Sequence, residues 1–80
     1  MPDLESVVAA NIRGERARLK WTQAQLGELV GMSGSTLSDL ENGNRIIATN
    51  ELPLFCRALN ITFAQLVQRA DPDDIRALGI

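Results

Sequence analysis

Apolar residues recur every three or four positions along the chain and never alternate in a sustained way, which predicts helices and no strands. From about Leu4 or Glu5 to Lys20, the residues Val8, Ile12 and Leu19 mark one inward stripe. A second helix starts at Thr22. Gln25, three residues on, has capping-box spacing, in which hydroxyl and amide each satisfy a free backbone N–H. Trp21 ahead of the cap is placed to staple over Leu26, and Leu26, Leu29 and Val30 follow at helical spacing. Gly31 ends this run where a left-handed residue is needed. Ser33 opens a third helix with Met32 and Leu37 as a second staple, Leu37 and Leu40 on its inner face, and Gly43 past its end.

The second half continues in the same manner. Asn44 to Thr49 reads as a loop, and a fourth helix begins near Asn50 or Glu51, with Pro53 in its first turn where a missing N–H costs little. It carries Leu52, Phe55, Cys56 and Leu59 and ends near Asn60. Thr62 caps a fifth helix bearing Phe63, Leu66 and Val67. Asp71–Pro72–Asp73–Asp74 is a fresh helix start, with acids favoured at the positive end of the dipole, and Ile75 and Leu78 lie beyond it. The fold class is therefore all-α, without repeats or linkers.

Two short helices joined by a tight glycine turn, Thr22 to Asn44, form the core of a helix-turn-helix, whose second helix can lie in a DNA major groove. GERARLK at Gly14–Lys20, TQAQL at Thr22–Leu26, Gly27, Gly31, STLSDLENG at Ser35–Gly43 and RALNIT at Arg57–Thr62 occur in that order. In this combination the chain resembles the Cro/CI-type (XRE) helix-turn-helix family of phage repressors and bacterial regulators, over roughly Ile12 to Val67. The resemblance implies a compact five-helix bundle of the lambda-repressor-like type, with room for a short sixth helix at the C-terminus. It implies a helix-turn-helix DNA-binding domain over residues 1–70 and a short helical tail over 71–80. The implied function is a sequence-specific transcriptional regulator, a repressor or Cro-like protein, that binds operator DNA through the third helix, Ser33–Glu41.

Residue by residue, the resemblance puts base-reading positions at Gly34, Ser35 and Asp39, with Ser33 at the helix start. Serine hydroxyls discriminate weakly among base edges, and Asp39 can accept from cytosine N4. Gly34 has no side chain where family members often carry a long reader, which either permits close backbone approach to the DNA or shifts recognition toward DNA shape and bridging water. Thr22 and Gln23 begin the second helix, whose N–H groups and dipole favour an anion such as phosphate. Asn42, Asn44 and Arg45 follow the third helix and Lys20 ends the first; all are candidate backbone contacts. Arg16 lies on the apolar stripe of the first helix, and a buried charge needs a partner. Glu41 is the candidate, a pairing the family resemblance also implies. Gly14 and Gly27 are expected to allow close packing and Gly31 to make the turn.

Eighty residues at 45% hydrophobic content suit one folded domain with a modest core and leave no room for a separate sensor domain. Net charge is −2, against the usual basic character of a nucleic-acid binder. The distribution softens this: Arg13, Arg16, Arg18, Lys20 and Arg45 fall in the helix-turn-helix half, while Asp71, Asp73 and Asp74 crowd the tail. With no histidine, Ser-His-Asp and Cys-His catalysis are excluded, and one cysteine excludes a disulfide framework. No glycine-rich phosphate loop occurs, so no enzyme, cofactor or metal is expected; Asp71, Asp73 and Asp74 read as capping. Cys56 reads as a small core residue.

The expected partner is double-stranded operator DNA, met by a homodimer with two recognition helices about one DNA turn apart. Exposed members of Phe55, Phe63, Ile75, Leu78 and Ile80 are candidate dimer contacts, or else fold back on the monomer. No apolar run approaches the ~20 residues of a membrane span, and MPDLES lacks a basic leader, so the expected location is the bacterial cytoplasm or nucleoid. A reader-poor third helix and acidic charge leave an alternative open: a protein-interaction module of the antirepressor or antitoxin kind, with a regulatory protein as partner.

Overall fold

A computed structural model describes residues 3–80. It contains α1 (Leu4–Arg18), α2 (Gln23–Val30), α3 (Gly34–Glu41), α4 (Leu52–Leu59), α5 (Phe63–Leu66) and α6 (Pro72–Ala77), with a 3-10 turn at Thr49–Glu51 ahead of α4. There is no strand among the described residues, and the fold is all-α as the periodicity predicts.

Local chemistry sets most helix starts. Thr22 Oγ1 accepts from the Gln25 N–H at 3.1 Å while Gln25 Oε1 accepts from the Thr22 N–H at 2.7 Å, closing the capping box. The same reciprocal pair recurs at Thr62 and Gln65. Asp3 caps α1 by accepting from the Ser6 N–H, and Asp71 caps α6 through Asp73 N–H. Pro53 sits in the first turn of α4, as expected.

Helix ends follow a second rule. α1 stops at Arg18, two residues short of the predicted Lys20, because Lys20 turns left-handed with φ of 60°. The Lys20 N–H then donates to Ala17 O at 2.9 Å and the Trp21 N–H to Arg16 O at 3.2 Å, a Schellman closure normally given to glycine. Gly31 performs the same service for α2 at φ of 76°, with Met32 N–H donating to Gly27 O at 2.8 Å. Asn60, also left-handed, ends α4.

The core takes two residues from each of the first four helices: Val8 and Ile12, Leu26 and Val30, Leu37 and Leu40, Phe55 and Leu59; Leu66 of α5 and Val67 just after it close the core. α2 and α3 make the most extensive helix–helix packing, so the recognition pair forms one unit seated on α1 and α4. Packing corrects four sequence expectations. Phe55 is fully enclosed at 0% exposure, which removes it from the candidate dimer contacts. Leu29 is 58% exposed, because Leu26 and Val30 four apart already take the inward face of an eight-residue helix. Gly14 is exposed with nothing within 4 Å of where a Cβ would stand, so it allows no close approach. Cys56 packs against the core from a half-buried position rather than within it, and that burial raises its thiol pKa above the ordinary 9.0.

Candidate nucleic-acid interface

α3 is held by its leucines. Leu37 and Leu40 are buried beneath it, and Ser35 and Asp39, one helical turn apart, are exposed on the opposite side. Ser33 caps the helix: its Oγ accepts from the Thr36 N–H at 3.0 Å and donates to Thr36 Oγ1 at 2.9 Å. Both hydroxyl functions of Ser33 therefore serve the helix itself. A Cβ on Gly34 would stand 3.6 Å from Ala24 N and Cα, so this position faces the first turn of α2. Ser38 is half-buried and accepts from Asn42 Nδ2 at 3.4 Å.

The turn between α2 and α3 depends on Gly27. A Cβ there would meet the Met32 carbonyl oxygen at 2.5 Å, inside any tolerable contact. The close approach is thus between α2 and the turn that follows it.

A buried network fixes α3 to α1. Glu41, the one charged side chain buried in the core among the described residues, at 3% exposure, accepts from Arg16 Nε at 2.7 Å and Arg16 Nη2 at 3.0 Å. Gln23 Nε2 donates to the same carboxylate at 3.1 Å, and Arg16 Nη1 donates to Trp21 O at 2.8 Å. Every buried polar side-chain atom among the described residues has a partner, as a buried ion pair requires. Hydrogen bonding to Glu41 raises the Arg16 pKa further above its already high ordinary value. Arg13 Nη2 donates to Glu41 O at 2.9 Å and to Asn42 Oδ1 at 3.4 Å, placing a cation on the negative end of α3.

The candidate phosphate contacts divide into two groups. Lys20, Thr22, Asn42 and Asn44 are exposed, Lys20 at the left-handed end of α1 and Thr22 at the start of α2. Gln23 is half-buried through its bond to Glu41. Arg45 is paired: Nη1 and Nη2 reach Glu51 Oε1 and Oε2 at 3.2 and 2.8 Å. Sequence reasoning did not find the roles of Arg13, Gln23 or Glu51, because each partner lies on another element. For Glu51 a partial signal existed in its spacing of three from Ala48, half of a capping box with no hydroxyl to complete it.

An all-helical bundle, a glycine turn between α2 and α3, and an α3 braced from beneath define a helix-turn-helix module of the Cro/CI (XRE) type. The helix-turn-helix family model matches residues 12–66, most of the chain, and the chain belongs to that family. Among its relatives, the competence pilus inhibition repressor of Acinetobacter baylyi is 35% identical over 63 residues, covering 79% of this chain and 57% of the relative. Antitoxin PezA of Streptococcus pneumoniae is 28% identical over 61 residues, covering 76% of this chain and 39% of the relative. The chain thus spans well under two thirds of either relative's length. Among solved structures, the P22 c2 repressor in complex with synthetic operator superposes with a TM-score of 0.68 at 30% identity, covering 76% of this chain and 92% of that one. The named relatives are regulators and an antitoxin, not enzymes. Among the described residues no helix is long and apolar enough to cross a membrane.

Proposed function

We propose that this chain is a transcriptional regulator that binds operator DNA by laying α3 in the major groove. The observation that carries this reading is the outward presentation of Ser35 and Asp39 on a helix whose underside is locked by Leu37, Leu40 and the Arg16–Glu41 pair. The solved complex of the P22 c2 repressor with its operator supports it. Ser35 and Asp39 read base edges, and Ser33 and Gly34 start the helix where it meets the groove. Ser33 contributes through position rather than a free hydroxyl, and Gly34, whose bare Cα faces Ala24, lets the start of α3 close on the first turn of α2 rather than on the duplex. Lys20, Thr22, Gln23, Asn42, Asn44 and Arg45 line the flanking phosphates. Few long readers reach the bases, so shape and bridging water carry much of the specificity. Regulation then follows from occlusion or recruitment at a promoter, in the bacterial cytoplasm or nucleoid.

The chain acts on DNA as a homodimer, one α3 per half-site. Phe63, Ile75, Leu78 and Ile80 provide the contact; Leu78 and Ile80 are 43% and 47% exposed, and Leu78 lines an apolar groove that includes Leu4, Leu52 and Phe63.

The decisive experiment selects bound fragments from the source genome and tests them by mobility shift at low and moderate salt. Specific retardation is expected, lost in Ser35→Glu and in Arg45→Glu, because each places an anion against the duplex. The antitoxin relative gives the second reading its own support: a helix-turn-helix fold used to bind a regulatory protein. Tight binding to such a protein with no retardation of any genomic fragment would replace the first reading with the second.

A further inference from the structure

Arg45 is the cation of the loop that leaves α3, and its guanidinium is already occupied. Two of its N–H groups meet the two oxygens of Glu51 at 3.2 and 2.8 Å, the fork geometry that arginine also offers to a phosphate. The acid is the anchored member of the pair. Glu51 Oε1 also accepts from the Ala48 N–H at 2.8 Å, and the Glu51 side chain is 14% exposed against 35% for Arg45. By contrast Lys20 forms no ion pair among the described residues, and the other exposed pairs, Arg18–Glu15 and Arg76–Asp73, join neighbours on one helix. Glu51 lies outside α3, and neither the base-reading nor the capping pattern of the helix-turn-helix needs a carboxylate to oppose Arg45.

We propose that Glu51 is a built-in competitor for the DNA phosphate at Arg45, lowering affinity for every duplex regardless of sequence. This rests on the duplex-binding reading above. To turn both donors to a phosphate, Arg45 must leave a half-buried carboxylate behind; while it stays paired, one unit of positive charge is withheld from the loop. The pairing holds the Glu51 carboxyl below its ordinary 4.5, chiefly through the hydrogen bond from Arg45, so the competitor stays ionised near neutral pH. Phosphate contacts act alike on all sequences, so the competitor sets overall affinity and salt sensitivity rather than base preference.

The test is a fluorescence anisotropy titration of the selected operator fragment and of a mixed-sequence duplex, over a series of salt concentrations. Glu51→Gln keeps the Ala48 bond through its amide oxygen, removes the charge and puts an N–H donor where Oε2 accepts from Arg45 Nη2. It is expected to bind both duplexes roughly three- to fivefold more tightly at low salt, the range of a partly exposed ion pair. The plot of log K against log salt should steepen by about 0.9, one added phosphate. Measured against Arg45→Gln alone, Arg45→Gln combined with Glu51→Gln should show neither gain. Unchanged or weaker binding by Glu51→Gln overturns the proposal, since the acid would then be a bystander or a positioning group for Arg45. A gain that survives in the double variant overturns it as well, because the effect would be one of net charge alone. If the wild-type chain binds neither duplex, the duplex-binding reading itself fails and the proposal falls with it.

Discussion

The side chain on which the interface most depends is Glu41. Its carboxylate is almost fully removed from water and takes donors from Arg16 and Gln23, while its backbone carbonyl takes one from Arg13. Truncation strands a guanidinium that was paired inside the fold and frees Gln23 at the start of α2. Glu41→Ala is therefore expected to lose about 3–5 kcal/mol of stability, read as a lower melting temperature by Trp21 fluorescence. A melt unchanged by the substitution would show that the pair contributes nothing net. Half of this network was legible beforehand. Arg16 on an apolar stripe demands a partner, and Glu41 at the end of the third helix was the candidate. Arg13 and Gln23 were not legible, since they meet the Glu41 region from 28 and 18 positions away and neither breaks a local pattern.

At the scale of elements, starts were easier to read than ends. A start is written in short-range chemistry: Thr22 with Gln25, Asp71 before Pro72, Pro53 in a first turn. The end of α1 is a choice among conformers. Lys20 adopts φ of 60° without the glycine that would announce it, so the stripe through Leu19 suggested a longer helix. The glycines divide by what surrounds them. Gly14 meets open space, and Gly27 meets a backbone carbonyl that cannot swing aside. Gly27→Ala should accordingly destabilise by about 1–3 kcal/mol, the range for overpacking, and move the turn that aims α3. Urea denaturation measures the first effect and operator affinity the second; a neutral result in both would mean the turn yields freely.

For the whole molecule, charge and association act together. An acidic chain of net charge −2 can still meet a duplex, because Lys20, and Arg45 once it leaves Glu51, flank the helix-turn-helix while Asp73 and Asp74 stand on α6 with Asp71 at its cap. If Leu78 and Ile80 form the dimer contact, sedimentation equilibrium should show mass rising with concentration. Leu78→Glu should return the chain to monomer with its melting temperature little changed, since Leu78 is not part of the closed core. A wild-type chain that stays monomeric both free and on operator DNA would refute the dimer. The sequence by itself determined the helical class, the order of the helices, most caps and the glycine turn, because all of these follow from interactions within a few residues. Only the tertiary structure decided that Phe55 is sealed inside, that Leu29 faces out, and that Arg13, Gln23 and Arg45 already have partners. Those outcomes depend on how separate helices meet. Periodicity shows that a helix has an inner face, whereas packing against its neighbours decides where that face ends and which polar groups are drawn across it.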